Sequence, residues 1–390
     1  MPRSAAAGVA SKLDAVTAVV RNDPLVAALA VLGVVVLGVG IYWLVGRLRP
    51  TAGSGLSAVL GRYDRVSVLM HPNPDPDAMS CAMAVAELAE ASDTETVLQY
   101  PGQIRHQENR AFETVLDVRF DRVESSADLS GEAVVLVDHN EPRGFHGAAE
   151  VRPKAVVDHH PGAGTGQEFT DIRVDYGACA TVFAEYFREL GYESVEPDEV
   201  NDGTSSLSPA VATGLLYGIL SDTKDLTKGC TDQEFEAASY LYPAVDENAL
   251  DRIANPEVDA EVLDVKARAI QNRTVQNAFA FSDVGEVSNV DAIPQAADEL
   301  LRLEGVTAVV IAGEHDGTWH LSGRSRDDRV HMGKVLESTV DDIPMANAGG
   351  HARMGGGQLS LEHMRGLGPS DGLSRPQFVD RLFAAMAGDR

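Results

Sequence analysis

Three short apolar runs in this chain each end on a histidine or an aspartate, and no other feature restricts the fold as much. Val66 to Met70 leads into His71, Ala133 to Val137 into Asp138, and Ala155 to Val157 into Asp158, His159 and His160. Apolar runs of this length without polar alternation suit strands covered on both faces, as in parallel sheets. A further strand is predicted at Glu95 to Tyr100. Helical patterns fall at Ala78 to Ala91, near Asn109 to Leu116, and near Ala178 to Leu190, Pro209 to Leu220 and Asp232 to Leu241. Strands alternating with helices predict an α/β domain with a mainly parallel sheet. In such open sheets, ligands gather beyond the carboxyl ends of the strands, where these titratable residues lie.

The residues at those ends suit divalent cations. In His71-Pro-Asn-Pro-Asp75-Pro-Asp77 the prolines stiffen the turn and aim one imidazole and two carboxylates. A plainer reading has Asp77 or Ser80 cap the following helix and Asp75 fill the turn. Asp138 begins the motif Asp138-His-Asn-Glu-Pro-Arg143. The adjacent His159 and His160 diverge, so that one can face a metal while the other faces a substrate. Asp222, in Ser221-Asp222-Thr-Lys-Asp225, ends an apolar helix, where the macrodipole disfavours an anion without a compensating cation. Mixed oxygen and imidazole donors favour Mn²⁺ or a similar ion over Ca²⁺.

At 390 residues the chain has room for two domains and an appendage. Residues 1–58 are predicted to form an N-terminal anchor and linker, including a Thr/Gly/Ser stretch from Thr51 to Ser57. Pro24 to Val45 carries no charged side chain, and 22 helical residues span about 33 Å, enough for a ~30 Å hydrocarbon core. Tyr42, Trp43, Arg47 and Arg49 close that run as interfacial residues would. A secretory signal fits less well, given the long polar lead and the absence of a small-x-small cleavage site. The expectation is a single-pass helix at about 24–45 in the cell membrane. Lys12 and Arg21 before it, against Arg47, Arg49, Arg62 and Arg65 after it, place the remaining domains in the cytoplasm. Residues 59–245 form the first domain, with a patternless acidic insertion from Gly191 to Ser206, and 246–272 a helical connector. Residues 273–390 form a smaller α/β domain. Its strands are expected at Thr274 to Ser282, Thr307 to Glu314 and Trp319 to Arg324, and its helices at Pro294 to Leu303 and Met332 to Ser338. A glycine-rich loop and a closing helix entered at Pro376 follow.

Asp and Glu number 59 against 32 Lys and Arg, a formal charge of −27. That excess opposes long polyanions, and the composition resembles that of haloarchaeal proteins, whose surfaces stay hydrated at high salt. Three cysteines without a C-x-x-C pair read as reduced core thiols.

The order HxxPDxDA, VD, VDHH and SDT, from Arg62 to Asp225, resembles the DHH superfamily of phosphoesterases. The resemblance implies that His71, Asp75 and Asp138 hold one metal, and that Asp77, Asp138, His159 and Asp222 hold a second, with Asp138 bridging. His160 would meet the scissile phosphate, Asp158 would orient its neighbours, and Arg143 stands where nanoRNase-like members often carry an arginine. Ser322-Gly-Arg324-Ser325 and Ala348-Gly349-Gly350-His351, followed by Gly355-Gly356, resemble the DHH-associated domain. This would make Arg324, Ser325, Gly349, Gly350 and His351 substrate-binding, in a cleft between the domains. Ala348 departs from the usual glycine, and Met354 and Gly355 from two usual alanines. The implied activity is two-metal hydrolysis, with Mn²⁺, of a cyclic or linear dinucleotide, a short oligoribonucleotide or a 3′-phosphonucleotide, releasing a 5′-nucleotide. A homodimer is admissible. Long single-stranded nucleic acid is disfavoured, since no basic groove is evident and aromatics are 6 % of residues. The alternatives are a non-catalytic nucleotide-binding membrane sensor and a RecJ-like exonuclease.

Overall fold

A computed structural model describes residues 24–48, 50–104, 106–196, 205–364 and 372–388. The chain divides into two compact units, Met1–Pro256 and Glu257–Arg390.

Helix α1 (Pro24–Leu48) forms over the long apolar run. Among the described residues, however, no helix is long and apolar enough to cross a membrane. The expected single-pass transmembrane helix, and with it the cell-membrane location, is corrected accordingly. The lead with Lys12 and Arg21 lies outside the described residues, as do 197–204 of the acidic insertion.

The expected Thr51–Ser57 linker is instead the start of helix α2 (Ala52–Leu60). Thr51 caps it by accepting from Ser54 N, and Leu56, Val59 and Leu60 dock into the core. The first sheet then forms from β1 (Arg65–Leu69), β2 (Glu95–Pro101), β3 (Asp121–Val123), β4 (Ala133–Val137), β5 (Ala155–Asp158) and β6 (Phe169–Ile172). Every neighbouring pair is parallel, in the order β3-β2-β1-β4-β5-β6. The chain therefore works outward from β1 in one direction and then from β4 in the other. Connections diverge at that reversal, leaving a crevice beyond the carboxyl ends of β1 and β4.

Helices α3 (Pro76–Glu90), α4 (Gln107–Val115), α5 (Cys179–Glu189), α6 (Pro209–Asp222), α7 (Asp232–Leu241) and α8 (Glu247–Ala254) complete this unit. Val66, Val68, Val135 and Val157 share one large core with α2, α3, α5 and α6. Leu69, Leu136 and Val156 point to the other face, into a small cluster with Val123. Strands β3 and β6 were not expected from the sequence, because each is short and mixes charged with apolar residues.

The second unit comprises α9 (Ala260–Gln271), β7 (Thr274–Gln276), β8 (Phe279–Glu286), α10 (Ala292–Leu300), β9 (Ala308–His315), β10 (Thr318–Ser325), α11 (Met332–Val340), β11 (Asn347–Gly350), β12 (Met354–Ser360), α12 (Leu361–Met364) and α13 (Arg375–Ala387). The expected connector 246–272 is thus divided, with α8 in the first unit and α9 in the second. The sheet order is β11-β12-β10-β9-β8-β7, antiparallel throughout except for the β8–β9 pair. The strand expected over Thr274 to Ser282 is a hairpin that turns at Asn277, which takes a positive φ of 54°. The expected glycine-rich loop is also a hairpin, β11–β12, whose glycines pair across the strands. Trp319 and Leu321 pack with α11 and α13 on one face, and Val309 and Ile311 with α9 and α10 on the other.

Candidate metal centre

Three local devices bring the strand-end residues together. Asp75 caps α3, accepting from Ala78 N at 3.1 Å, and Pro76 begins that helix. Asp138, one residue past β4, takes a left-handed φ of 60°. A non-glycine residue pays for that conformation in strain, and such strain concentrates at functional sites. Asp158 accepts from the backbone N–H of His159 (2.7 Å) and His160 (3.0 Å) and so folds the His-His turn around its own carboxylate.

The side chains converge on Asp138, which is 1 % exposed. His71 Nε2 lies 3.5 Å from Asp75 Oδ2 and 3.4 Å from Asp138 Oδ2. His159 Nε2 lies 3.7 Å from Asp77 Oδ2, 3.3 Å from Asp138 Oδ1 and 3.6 Å from Asp222 Oδ2. The donors form three overlapping groups: His71, Asp75 and Asp138; Asp77, His159 and Asp222; and Asp138, His159 and His160. Two of these groups share Asp138, which presents one oxygen to each side.

The imidazoles are pre-aimed from behind. His71 Nδ1 pairs with Pro72 O and His159 Nδ1 with Tyr176 O, each at 3.0 Å. Each ring therefore donates through Nδ1 and turns Nε2 towards the carboxylates, the tautomer that ligates a cation. Asp77 is fully buried, and the first two amides of α5 hold it: Cys179 N and Ala180 N each donate at 2.7 Å.

The electrostatics ask for positive charge. Burial pushes Asp77 well up, and the charges of Asp138 and Asp222 add to it. Burial, Asp75 and Asp138 likewise push Asp222 up to about 7. Burial lowers His71 and His159, but the surrounding carboxylates outweigh it and push them up to about 11 and about 10. Asp138 is held low despite burial by His159 and His71. Asp138 Oδ1 and His159 Nε2 are both buried without a hydrogen-bond partner. Buried polar atoms seldom stay unpaired, and a cation between carboxylate oxygens and a bare imidazole nitrogen satisfies both. The donor set fits two divalent ions.

His160 is half exposed, and its Nδ1 pairs with Asp158 Oδ1 at 3.0 Å. That bond raises its pKa against partial burial and leaves Nε2 free to donate outward. Arg143 is exposed and takes no part in the ion pairs or hydrogen bonds of the cluster among the described residues.

The other expected site residues lie in the second unit. Arg324 pairs with Asp298 on α10, Nε to Oδ1 at 2.6 Å. Ser325 is buried, and its hydroxyl donates to Asp327 O. Gly349, Gly350 and His351 form the end and turn of the β11–β12 hairpin, with His351 exposed.

Three contributors were not anticipated from the sequence. Asn140 Nδ2 donates to Asp158 Oδ2 at 2.6 Å, and its place two residues after Asp138 was the only signal for it. The Cys179 and Ala180 amides have no side-chain signature at all. Gly218 lets α6 approach the first turn of α3, since a Cβ there would sit 2.7 Å from Ser80 Oγ and 3.1 Å from the Asp77 backbone. Asp222 follows one turn later.

Residues 65–219 match the DHH family, N-terminal domain, and residues 276–367 match the DHHA1 domain. An uncharacterized protein of Methanocaldococcus jannaschii is 32 % identical over 309 residues, which cover 79 % of this chain and 60 % of that protein. The cyclic-di-AMP phosphodiesterase GdpP of Geobacillus thermodenitrificans is 29 % identical over 325 residues, covering 78 % of this chain and 46 % of that one. A probable manganese-dependent inorganic pyrophosphatase of Staphylococcus aureus is 31 % identical over 178 residues, covering 44 % and 52 %. The chain thus spans about half the length of the curated relatives it matches.

Proposed function

We propose, from the premise that the chain belongs to the DHH family and carries a DHHA1 domain, that it is a metal-dependent phosphoesterase acting on a small nucleotide. The substrate would be a cyclic or linear dinucleotide, a short oligoribonucleotide or a 3′-phosphonucleotide, and the product a 5′-nucleotide. The observation that carries this reading is the pair of donor groups that share Asp138, with Asp138 Oδ1 and His159 Nε2 buried and unpaired between them.

In this reading His71, Asp75 and Asp138 hold one divalent ion, and Asp77, Asp138, His159 and Asp222 the other. Manganese is favoured by the mixed carboxylate and imidazole donors and by the likeness to a manganese-dependent pyrophosphatase. Bound there, the ions supply a water of lowered pKa and positive charge for the phosphoryl oxygens. Asp158 keeps a proton on His160 Nδ1 and so directs Nε2–H at a phosphoryl oxygen, where negative charge grows during hydrolysis. Asn140 holds the far oxygen of Asp158, so the ring cannot swing away. In the second unit Arg324 and His351 would meet the substrate phosphate, with the amides of Gly349 and Gly350 and the backbone at Ser325 beside them. A dinucleotide is favoured over pyrophosphate by the likeness to the cyclic-di-AMP phosphodiesterase, which extends over 78 % of the chain, against 44 % for the pyrophosphatase.

The test is to strip metal from the purified chain, restore Mn²⁺, and offer this substrate panel with pyrophosphate at low and high salt. Asp138→Ala and His159→Ala should abolish whatever hydrolysis appears. Near-normal turnover by either variant, or turnover that persists without metal, would remove the reading. Metal-independent nucleotide binding without turnover would favour a sensor instead.

A further inference from the structure

A cavity of about 540 Å³ lies wholly within the second unit, among the start of β8, the residues that open α11 and the last turn of α13. Its volume falls in the range of small-ligand sites. It stands on the side of the sheet away from Arg324. A Cβ on Gly323 would strike Met332 of α11, so Gly323 faces that helix, while its neighbour Arg324, paired with Asp298 of α10, faces the other way. None of the residues assigned to hydrolysis lines the cavity.

Its floor is apolar. Val330, Val335, Ala385 and Met386 belong to the core that holds Trp319 and Leu321, and the partly buried Phe279 adds an aromatic ring. On the α13 side, Ala385, Ala387 and Gly388 carry no side chain long enough to fill the space.

Its rim is cationic, in a chain where 59 Asp and Glu outnumber 32 Lys and Arg. His331 caps α11: its Nδ1 accepts from Lys334 N at 3.3 Å, so the ring proton sits on Nε2 and points away from the helix amides. Arg329 forks Asp327 through Nε at 2.9 Å and Nη2 at 2.7 Å, and among the described residues Nη1 keeps both of its N–H groups unpaired. Lys334 is exposed, and among the described residues its ammonium has no ion-pair partner. Asp327 is the one carboxylate in the lining, and Arg329 already occupies it. Glu337, a turn further along α11, lies against Gly349 instead.

We propose that this cavity binds a small amphiphilic anion, a carboxylate on an apolar body. The head meets Lys334, His331 Nε2 and Arg329 Nη1 at the start of α11, where the helix dipole also favours negative charge. The body covers Phe279, Val335 and Met386. The lining holds no asparagine or glutamine to read a base edge, which sets this ligand apart from the nucleotide of the metal centre. The site stands whether or not that centre hydrolyses nucleotides.

Calorimetry on the whole chain, with decanoate, 1-decanol and sodium sulfate as separate titrants, tests both halves of the site. The chain as a whole repels anions, so a preference for decanoate over decanol marks local cations. Decanoate should bind about tenfold more tightly than decanol, the order of one charge-assisted contact, and sulfate should bind far more weakly than decanoate. Lys334→Glu alters an exposed side chain. It should weaken decanoate at least about tenfold and leave decanol within about twofold. Ala387→Trp, at an exposed position on the wall, should weaken both by filling the space. An unchanged Tm shows that each variant is folded; should Lys334→Glu fail to fold, Lys334→Gln makes the same test with a smaller loss. Equal affinity for decanoate and decanol overturns the site, as does sulfate that binds as tightly as decanoate. So does decanoate binding unmoved by the Lys334 variants, decanol binding unmoved by Ala387→Trp, or no saturable binding of decanoate.

Discussion

The two units handle polar groups in opposite ways. In the first, four of the six metal-facing side chains have a rear partner, with Asp138 and Asp222 the exceptions among the described residues: Asp77 takes two helix amides, Asp75 one, and His71 and His159 each a carbonyl. In the second, Arg324 and Ser325 are restrained, whereas among the described residues the exposed Asn347, Gln358 and His351 side chains make no hydrogen bond. A cation site must hold several like charges close together, which demands fixed donors. A surface that reads an organic ligand gains from groups that can adjust. The contrast predicts sharp losses from change in the first unit and graded losses in the second.

The largest effect belongs to the shared carboxylate. Asp138→Asn should cost more than about 10³-fold in kcat/KM, beyond the roughly 10–100-fold typical of residues behind a metal ligand. Asp158→Asn tests that second level. It should lower kcat by about 10–100-fold with little change in KM, since it disturbs the aim of His160 and not the binding of substrate. An equal loss for the two variants would erase the distinction between ligand and support. Gly218→Val should push α6 from α3, destabilising the first unit by about 1–3 kcal/mol and weakening Mn²⁺ binding through Asp222. A melting curve with and without Mn²⁺ reads both effects. Saturating Mn²⁺ at a hundred times its Kd should stabilise the wild-type first unit by about 2.7 kcal/mol per site and leave the second unit unmoved, and chelation should reverse this. The smallest effect is Arg324→Lys, expected to raise KM several-fold with kcat nearly intact, because a lysine cannot keep the two-point grip on Asp298. A fall in kcat as deep as that of Asp158→Asn would move Arg324 into the same class as the buried site.

What could be read before folding followed from local rules. Apolar runs without alternation identify the inner strands of the first sheet, and prolines and strand ends mark His71, Asp75, Asp77, Asp138 and His159 as candidates. The same rules misread the second unit, where Gly349, Gly350, Gly355 and Gly356 suggest a loop but form paired strands. Glycine favours turns only while nothing else organises the backbone, and here β10 supplies a partner along all of β12. The membrane expectation failed through reliance on composition alone: the apolar run is helical, yet no helix among the described residues is long and apolar enough to span a bilayer.

The amino-acid order by itself determined which residue types stand at each strand end, because apolar runs and turn residues act over a few neighbours. Only the tertiary structure decided that Asp138 lies between two donor groups, that α5 amides hold Asp77, and that Gly356 sits between Ser322 and Gly349. These depend on strand order and register. Residues 102 positions apart, such as Asp77 and Cys179, meet only when the whole sheet has closed around them, and no local pattern records that distance.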